Sequence, residues 1–337
     1  MRKTYLLALF FVPTLYAKID VGPAEWEEAK IKHAAKEGPP PKQIGLYIST
    51  ELLYFQAQEN GLTYAIKSQN GEGLLNDAKG QNPHFSWDFG SKIGLGYIFH
   101  RDCWDLSSSW TRFYTKASSH EDAGDEHVIF STWTHPQSNS PFSQSEAHWH
   151  LALNLLDLTL SRCFAIGQKT SLCPSLSLYS AWLNRKYRMT FESEKAHLQN
   201  TSTLRNNFWG FGPGFGIRAM FRLAPDWSLF GEGTLGLLLG NFQLKQREWQ
   251  NHQEIYETDN SFRNTLAFIN TEMGIGWDRL LIAGRLHILL QIAWENTLFL
   301  NENQSMHFTD NISPATFVQN QGNLSIQGWK ASLSMKF

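Results

Sequence analysis

Between Phe85 and Phe99 the chain alternates. Phe85, Trp87, Phe89, Ile93, Leu95, Tyr97 and Phe99 share one parity; Ser86, Asp88, Gly90, Lys92, Gly94 and Gly96 share the other. Successive side chains of a strand point to opposite faces, so period two reads as a strand. No helix tolerates this pattern, because a 3.6-residue repeat would scatter the aromatic rings around the whole cylinder. The strand has one apolar face and one charged, hydroxylated or glycine face. It therefore stands between two environments of opposite kind.

The same alternation recurs from Leu46 to Ala57, Trp104 to Thr115, Trp149 to Ser161, Leu172 to Asn184, Trp209 to Phe221, Trp227 to Leu239, Thr265 to Trp277, Leu286 to Leu298 and Leu324 to Phe337. About ten strands result, with twelve as the alternative because Leu62 to Ser68 adds a candidate in the first long connection. Two irregularities are expected. In Trp149 to Ser161 the leucines change parity between Leu155 and Leu156, which a β-bulge would absorb. Pro213 cannot donate to a ladder, which predicts a bulge or break there.

A soluble sandwich also alternates, so the ends and the connections decide. Met1 to Ala17 has Arg2 and Lys3, an apolar run from Tyr5 to Val12 and a small residue at Ala17, the form of a cleaved secretory signal peptide. No later stretch reaches the roughly 18 apolar residues of a transmembrane helix. Residues 18–44 read as a periplasmic helix around Glu28 and Lys32 followed by a Gly38-Pro39-Pro40-Pro41 linker, with an inserted plug or a disordered leader as the alternatives, and residues 45–337 as the barrel. Connections alternate short and long: those near Gln58 to His84, Ser118 to His148, Arg185 to Asn207, Lys245 to Phe262 and Leu300 to Asn323 are long. Short periplasmic turns and long extracellular loops are the outer-membrane pattern. The fold class is all-β, a transmembrane antiparallel up-and-down barrel.

Composition agrees. Charged residues are 18% against roughly 25% in soluble proteins, and aromatics reach 14% with 13 Trp. Trp104, Trp227, Trp277 and Phe337 fall at periplasmic strand ends, and Trp87, Trp149, Trp182, Trp209 and Trp294 at outer ends, as two interfacial girdles. A net charge of −2 gives no basic stripe for nucleic acid.

The polar parity carries Glu51, Asp88, Lys92, Asp105, Asp157, Arg218, Glu232, Glu272, Glu295, Lys330 and Lys336, the candidate lumen lining. In a water-filled lumen these set ion preference, and their acidic excess favours cations. A wall of about ten strands is narrow, and the opposite reading is an interior filled by its own side chains. Cys163 and Cys173 flank one periplasmic turn and form a candidate disulfide, with Cys103 left free or to bond a neighbour; the competing reading is three unpaired small apolar residues. His148 and His150 share a face but lack a third metal ligand. Gly210, Gly212, Gly214 and Gly216 miss nucleotide-loop spacing and instead leave room for a neighbouring large side chain. No cofactor or metal site is expected, and no spacing singles out a catalytic set.

The ordered series Leu52 to Leu62, Phe85 to Gly90, Cys103 to Leu106, Trp110 to Phe113, Leu153 to Leu158 and Trp209 to Pro213 resembles the Legionella-type major outer-membrane protein family of pore-forming barrels, also numerous in chlamydia-related bacteria. The resemblance covers nearly everything after Gly45 and implies an outer-membrane, porin-like role without catalytic residues. The function expected is passive diffusion of small hydrophilic solutes or ions. The alternative is a non-conducting structural or adhesive barrel acting through its outer loops. Expected partners are outer-membrane lipid and the barrel-assembly machinery, the latter through Trp329, Leu333, Met335 and Phe337.

Overall fold

A computed structural model describes residues 45–69, 78–99, 104–124, 126–134, 141–194, 197–281, 286–308 and 317–337. The expected signal peptide, the 18–44 segment and Cys103 lie outside the described residues. Ten long strands form the wall: β1 (Gly45–Glu59), β2 (Trp87–Ile98), β3 (Trp104–Asp122), β4 (Gln144–Arg162), β5 (Thr170–Ser193), β6 (Leu198–Ala224), β7 (Trp227–Gln250), β8 (Gln253–Leu281), β9 (Leu286–Asn303) and β10 (Gly322–Lys336). Each pairs antiparallel with its neighbours in sequence. β10 pairs with β1 from Tyr47↔Lys336 to Glu59↔Leu324, which closes the sheet. At that seam the Phe337 amide donates to the Leu46 carbonyl at 3.1 Å. Gly45 has φ 144°, and a Cβ there would run into the Phe337 carbonyl. A side chain at 45 would therefore meet both strain and a clash.

The wall is taller than a membrane. β5, β6, β7 and β8 have 24, 27, 24 and 29 residues, against roughly 9–11 for a tilted crossing. Two segments expected as long loops, Arg185 to Asn207 and Lys245 to Phe262, are mostly continuing strand. Pairing runs without interruption from Leu183↔Phe208 to Ser193↔Leu198. The β7–β8 tip is only Asn251-His252, with φ 46° and 69°, the positive pair that a two-residue type I′ hairpin requires.

The reason for the difference is an inversion of polarity. In β5, Leu176, Leu178 and Trp182 point outward over inward Ser175 and Ser177; past Trp182 the outward residues are Asn184, Lys186 and Arg188 over inward Leu183, Tyr187, Met189 and Phe191. Parity is kept and only chemistry changes sides. The lower half is a membrane wall, and the upper half is an ordinary β-structure with its apolar side inward.

β4 inverts at the register-matched place, Asn154↔Trp182. The bulge expected near Leu155 is therefore absent: β4 stays in unbroken register with β3 from Asp122↔Gln144 to Trp104↔Arg162. Leu156, Leu158 and Leu160 face out, while Leu151, Leu153 and Trp149 face in. At Pro213 there is a break without a bulge. Pairing with β7 omits Gly212 and Pro213 and resumes at Gly214↔Gly236 in the same register, because the proline has no N–H to give.

Outer connections add a small antiparallel sheet of Lys79–Gln81, Ala65–Gln69 and His127–Ser131. The candidate strand near Leu62 to Ser68 thus belongs to this sheet and not to the wall. Leu62, Tyr64, Ala65, Ile129, Trp133 and Phe142 join one core cluster with Leu53, Phe55, Phe113, Trp149, Tyr187 and Phe191 inside the upper barrel. Each fully buried side chain of this size contributes about 1.5–3 kcal/mol.

Candidate functional site

The interior has two tiers. In the lower tier, Lys330 on β10 reaches Glu272 on β8 at 2.5 Å, Glu295 on β9 at 3.3 Å and Glu51 on β1 at 3.4 Å. Asn270 donates to Glu295 and to Thr297 at 2.8 and 2.7 Å. Lys92 stands directly opposite Glu51 across the β1–β2 pair. Arg218 lies 3.7 Å from Glu232, donates to Gln291 at 3.2 Å and covers the Phe230 ring at 4.3 Å. Asp105 accepts from the Tyr47 hydroxyl at 3.0 Å, and Asp157 from Ser109. Lys336 is buried at the lower rim. These expected lumen residues all face inward, and several are neutralised by one another. Asp88 also faces inward, but beyond Leu53 and Phe113, where Thr115 donates to it at 2.6 Å; it belongs to the upper tier.

Inward glycines serve this packing. A Cβ at Gly214 would strike the Tyr179 ring and one at Gly236 the Phe268 ring. Tyr179 and Phe268 meet edge-on with centroids 5.0 Å apart, although β5 and β8 are not wall neighbours.

The upper tier is centred on Arg185. From β5 its guanidinium contacts Glu59 of β1 directly and Glu302 of β9 at 3.3 Å, and donates to Asn303 at 3.1 Å and Ser305 at 3.0 Å. Three wall strands separate β5 from β1 and from β9, so the group crosses the barrel. Asn206 donates to the Glu302 carboxylate at 3.2 Å. Burial pushes the Glu302 carboxyl up, opposed by Arg185, and pushes the Tyr187 hydroxyl well above its ordinary value. Sequence reading missed this cluster because its residues fall in segments read as loops or loop edges. The available signal was Arg185 sharing parity with Leu183 and Tyr187.

Outside, Trp87, Trp182, Trp209 and Trp294 are exposed near the level of inversion and Trp104, Trp227 and Phe337 near the lower rim, with Trp277 directly opposite Trp227. Trp149 is a correction. It is 0% exposed and donates its Nε1 proton to Glu59 at 2.7 Å, because odd residues of β4 face the interior along its whole length. Trp110, 45% exposed and outward, is an aromatic the sequence reading did not place in a girdle. Trp329 joins the outer aromatic group, 5.3 Å from Trp294, which in turn is 6.1 Å from Trp87. Cys163 and Cys173 are disulfide-bonded beside the β4–β5 turn.

Residues 39–337 match the family described as Legionella pneumophila major outer membrane protein precursor. The chain belongs to that family. It is accordingly an outer-membrane β-barrel, and the short-turn end of this family member's wall is periplasmic. No curated protein matches it. Among solved structures it is similar to the outer membrane protease OmpT of Escherichia coli, at 10% identity and TM-score 0.41, covering 89% of this chain and 99% of that one. It is also similar to the Pseudomonas putida toluene transporter TodX, at 9% identity and TM-score 0.32 over 86% and 89% of the two chains. The translocator domain of the Neisseria meningitidis autotransporter NalP matches at 10% identity and TM-score 0.26 over 93% and 96%. At these distances none informs the activity of this family member.

Proposed function

We propose that this protein is a closed outer-membrane wall barrel that acts through the surface of its outer column and hairpin tips, and not an open diffusion pore. The observation that carries this is the Arg185 group spanning the barrel from β5 to Glu59 and Glu302 inside an apolar core. Opening a path would separate Trp149, Tyr187, Phe113, Phe142 and Phe191 from their neighbours. At about 2 kcal/mol each this costs about 10 kcal/mol, a population of roughly one in 10⁷. Single-channel recording of refolded protein in planar bilayers tests the proposal: no steady current is expected at low voltage, and a steady ohmic step overturns it.

One feature favours ion conduction as a second reading. The membrane-level interior bears Glu51, Asp105, Asp157, Glu232, Glu272 and Glu295 against Lys92, Arg218, Lys330 and Lys336, an excess of acidic groups. Were the same recordings to show current, this acidic excess requires a reversal potential shifted toward cation selectivity.

A further inference from the structure

The outer column carries a row of basic side chains that no acid in the row opposes until its far edge. Lys116 on β3 stands opposite His150 on β4, His150 opposite Lys186 on β5, Lys186 opposite Arg205 on β6, and Arg205 opposite Lys245 on β7. All five belong to the outward parity. Like charges directly opposite one another in a sheet repel, as Lys186 and Arg205 do, so this part of the row destabilises the column unless something anionic lies across it. Lys245 has an acid of its own, Asp259 at 2.6 Å. Among the described residues, Lys116, Lys186 and Arg205 make no ion pair. One step higher, Arg188 faces His148, whose imidazole is engaged by Glu146 at 2.9 Å. Arg247 on β7, by contrast, is held by Glu257. At the height of the row, the cations without an ion pair among the described residues lie on β3–β6.

Height identifies the counter-charge. Lys186 is four residues beyond Trp182, and Arg205 four residues before Trp209 on the descending strand. At roughly 3.3 Å per residue and a tilt of about 40°, the row stands about 10 Å above the outward tryptophans. Directly below lie the lipid-facing Leu156, Leu158, Leu176, Leu178, Phe211 and Phe215. An occupant with acyl chains on that apolar wall and anions at the row has to be a lipid with a tall headgroup. A simple phospholipid headgroup layer is only about 5–8 Å thick. Neighbouring strands lie roughly 4.8 Å apart, so Lys186 and Arg205 straddle one phosphate, with Arg205 able to offer a paired fork, and Lys116, two strands away, reaches a second.

We infer that the β3–β6 face of the outer column binds the phosphates of an anionic glycolipid of the outer leaflet, through Lys116, Lys186 and Arg205. The inference stands whether or not the lumen conducts.

The test uses full-length protein in phosphatidylcholine vesicles containing bisphosphorylated lipid A, the same lipid with its phosphates removed, or no glycolipid plus inorganic phosphate. Tm is followed by tryptophan fluorescence. The phosphorylated glycolipid raises Tm relative to both other vesicles. The variant K116Q/K186Q/R205Q, which removes mutual repulsion and so folds, loses at least half of that rise, while R247Q keeps it. An equal rise with dephosphorylated lipid A, an equal rise from free phosphate, or a full rise in the triple variant each overturns the assignment.

Discussion

The two halves of β5 are made by one continuous alternation, yet they obey opposite rules. Below Trp182 leucines face out and serines in; above it, lysine and arginine face out and tyrosine, methionine and phenylalanine in. The side of the sheet that carries apolar groups is therefore set by the solvent outside it. Hydrocarbon outside permits a charged interior, and water outside demands an apolar one. The boundary between them is placed in register across β3 to β6 at Arg112↔Asn154, Asn154↔Trp182 and Trp182↔Trp209.

The largest test of this contrast lies in the upper core. Arg185→Ala leaves Glu59 and Glu302 buried without their cation, and the unfolding midpoint in urea should report a loss of about 3–5 kcal/mol. Replacing the cluster together, as Glu59→Leu, Arg185→Met and Glu302→Leu, should cost far less, since an apolar interior is what this half already uses. If the triple change is as damaging as the single one, the upper tier is not an apolar core.

Next in size is a pair of outward substitutions on the same strand. Leu178→Arg faces lipid and should cost about 2–4 kcal/mol. Arg188→Leu faces water and should stay within about 0.5 kcal/mol. Equal costs in vesicle unfolding experiments would abolish the boundary at Trp182.

The smallest effect is a pH dependence of the outer column. Burial lowers the His150 pKa below its ordinary value, helped by His148, Lys186 and Lys116, with Glu146 engaged by His148. The unfolded chain then takes up the proton first as pH falls, so stability is full above the ordinary histidine pKa of about 6.5 and declines below it. His150→Gln should flatten that decline between about pH 7 and 5. An unchanged slope would remove His150 as its source.

The wall was legible because a sheet between hydrocarbon and a polar interior has to alternate, and the ten strands carry that pattern openly. The upper half was not, because an inverted pattern looks like a lost phase. Trp149 and the leucines of β4 then suggest a bulge, and Lys186 and Arg188 suggest a loop. Among the interior residues, parity places Glu51, Glu272, Glu295 and Lys330 on one face. That one ammonium serves all three carboxylates depends on how the sheet closes, which no local segment encodes. The Arg185 group is further from view still, since Glu59 and Glu302 are 126 and 117 residues away from it.

The polarity inversion also governs how the molecule reaches its place. A barrel entering from the periplasmic side leads with its tall end, so Lys186, Arg188 and Arg205 must traverse the hydrocarbon before Leu176, Leu178, Phe211 and Phe215 come to rest in it. Each cation at the bilayer midplane meets a barrier of about 2–4 kcal/mol, and several cross together. Insertion into an undisturbed bilayer is therefore slow. A polar passage through the bilayer would lower that barrier for the outer column.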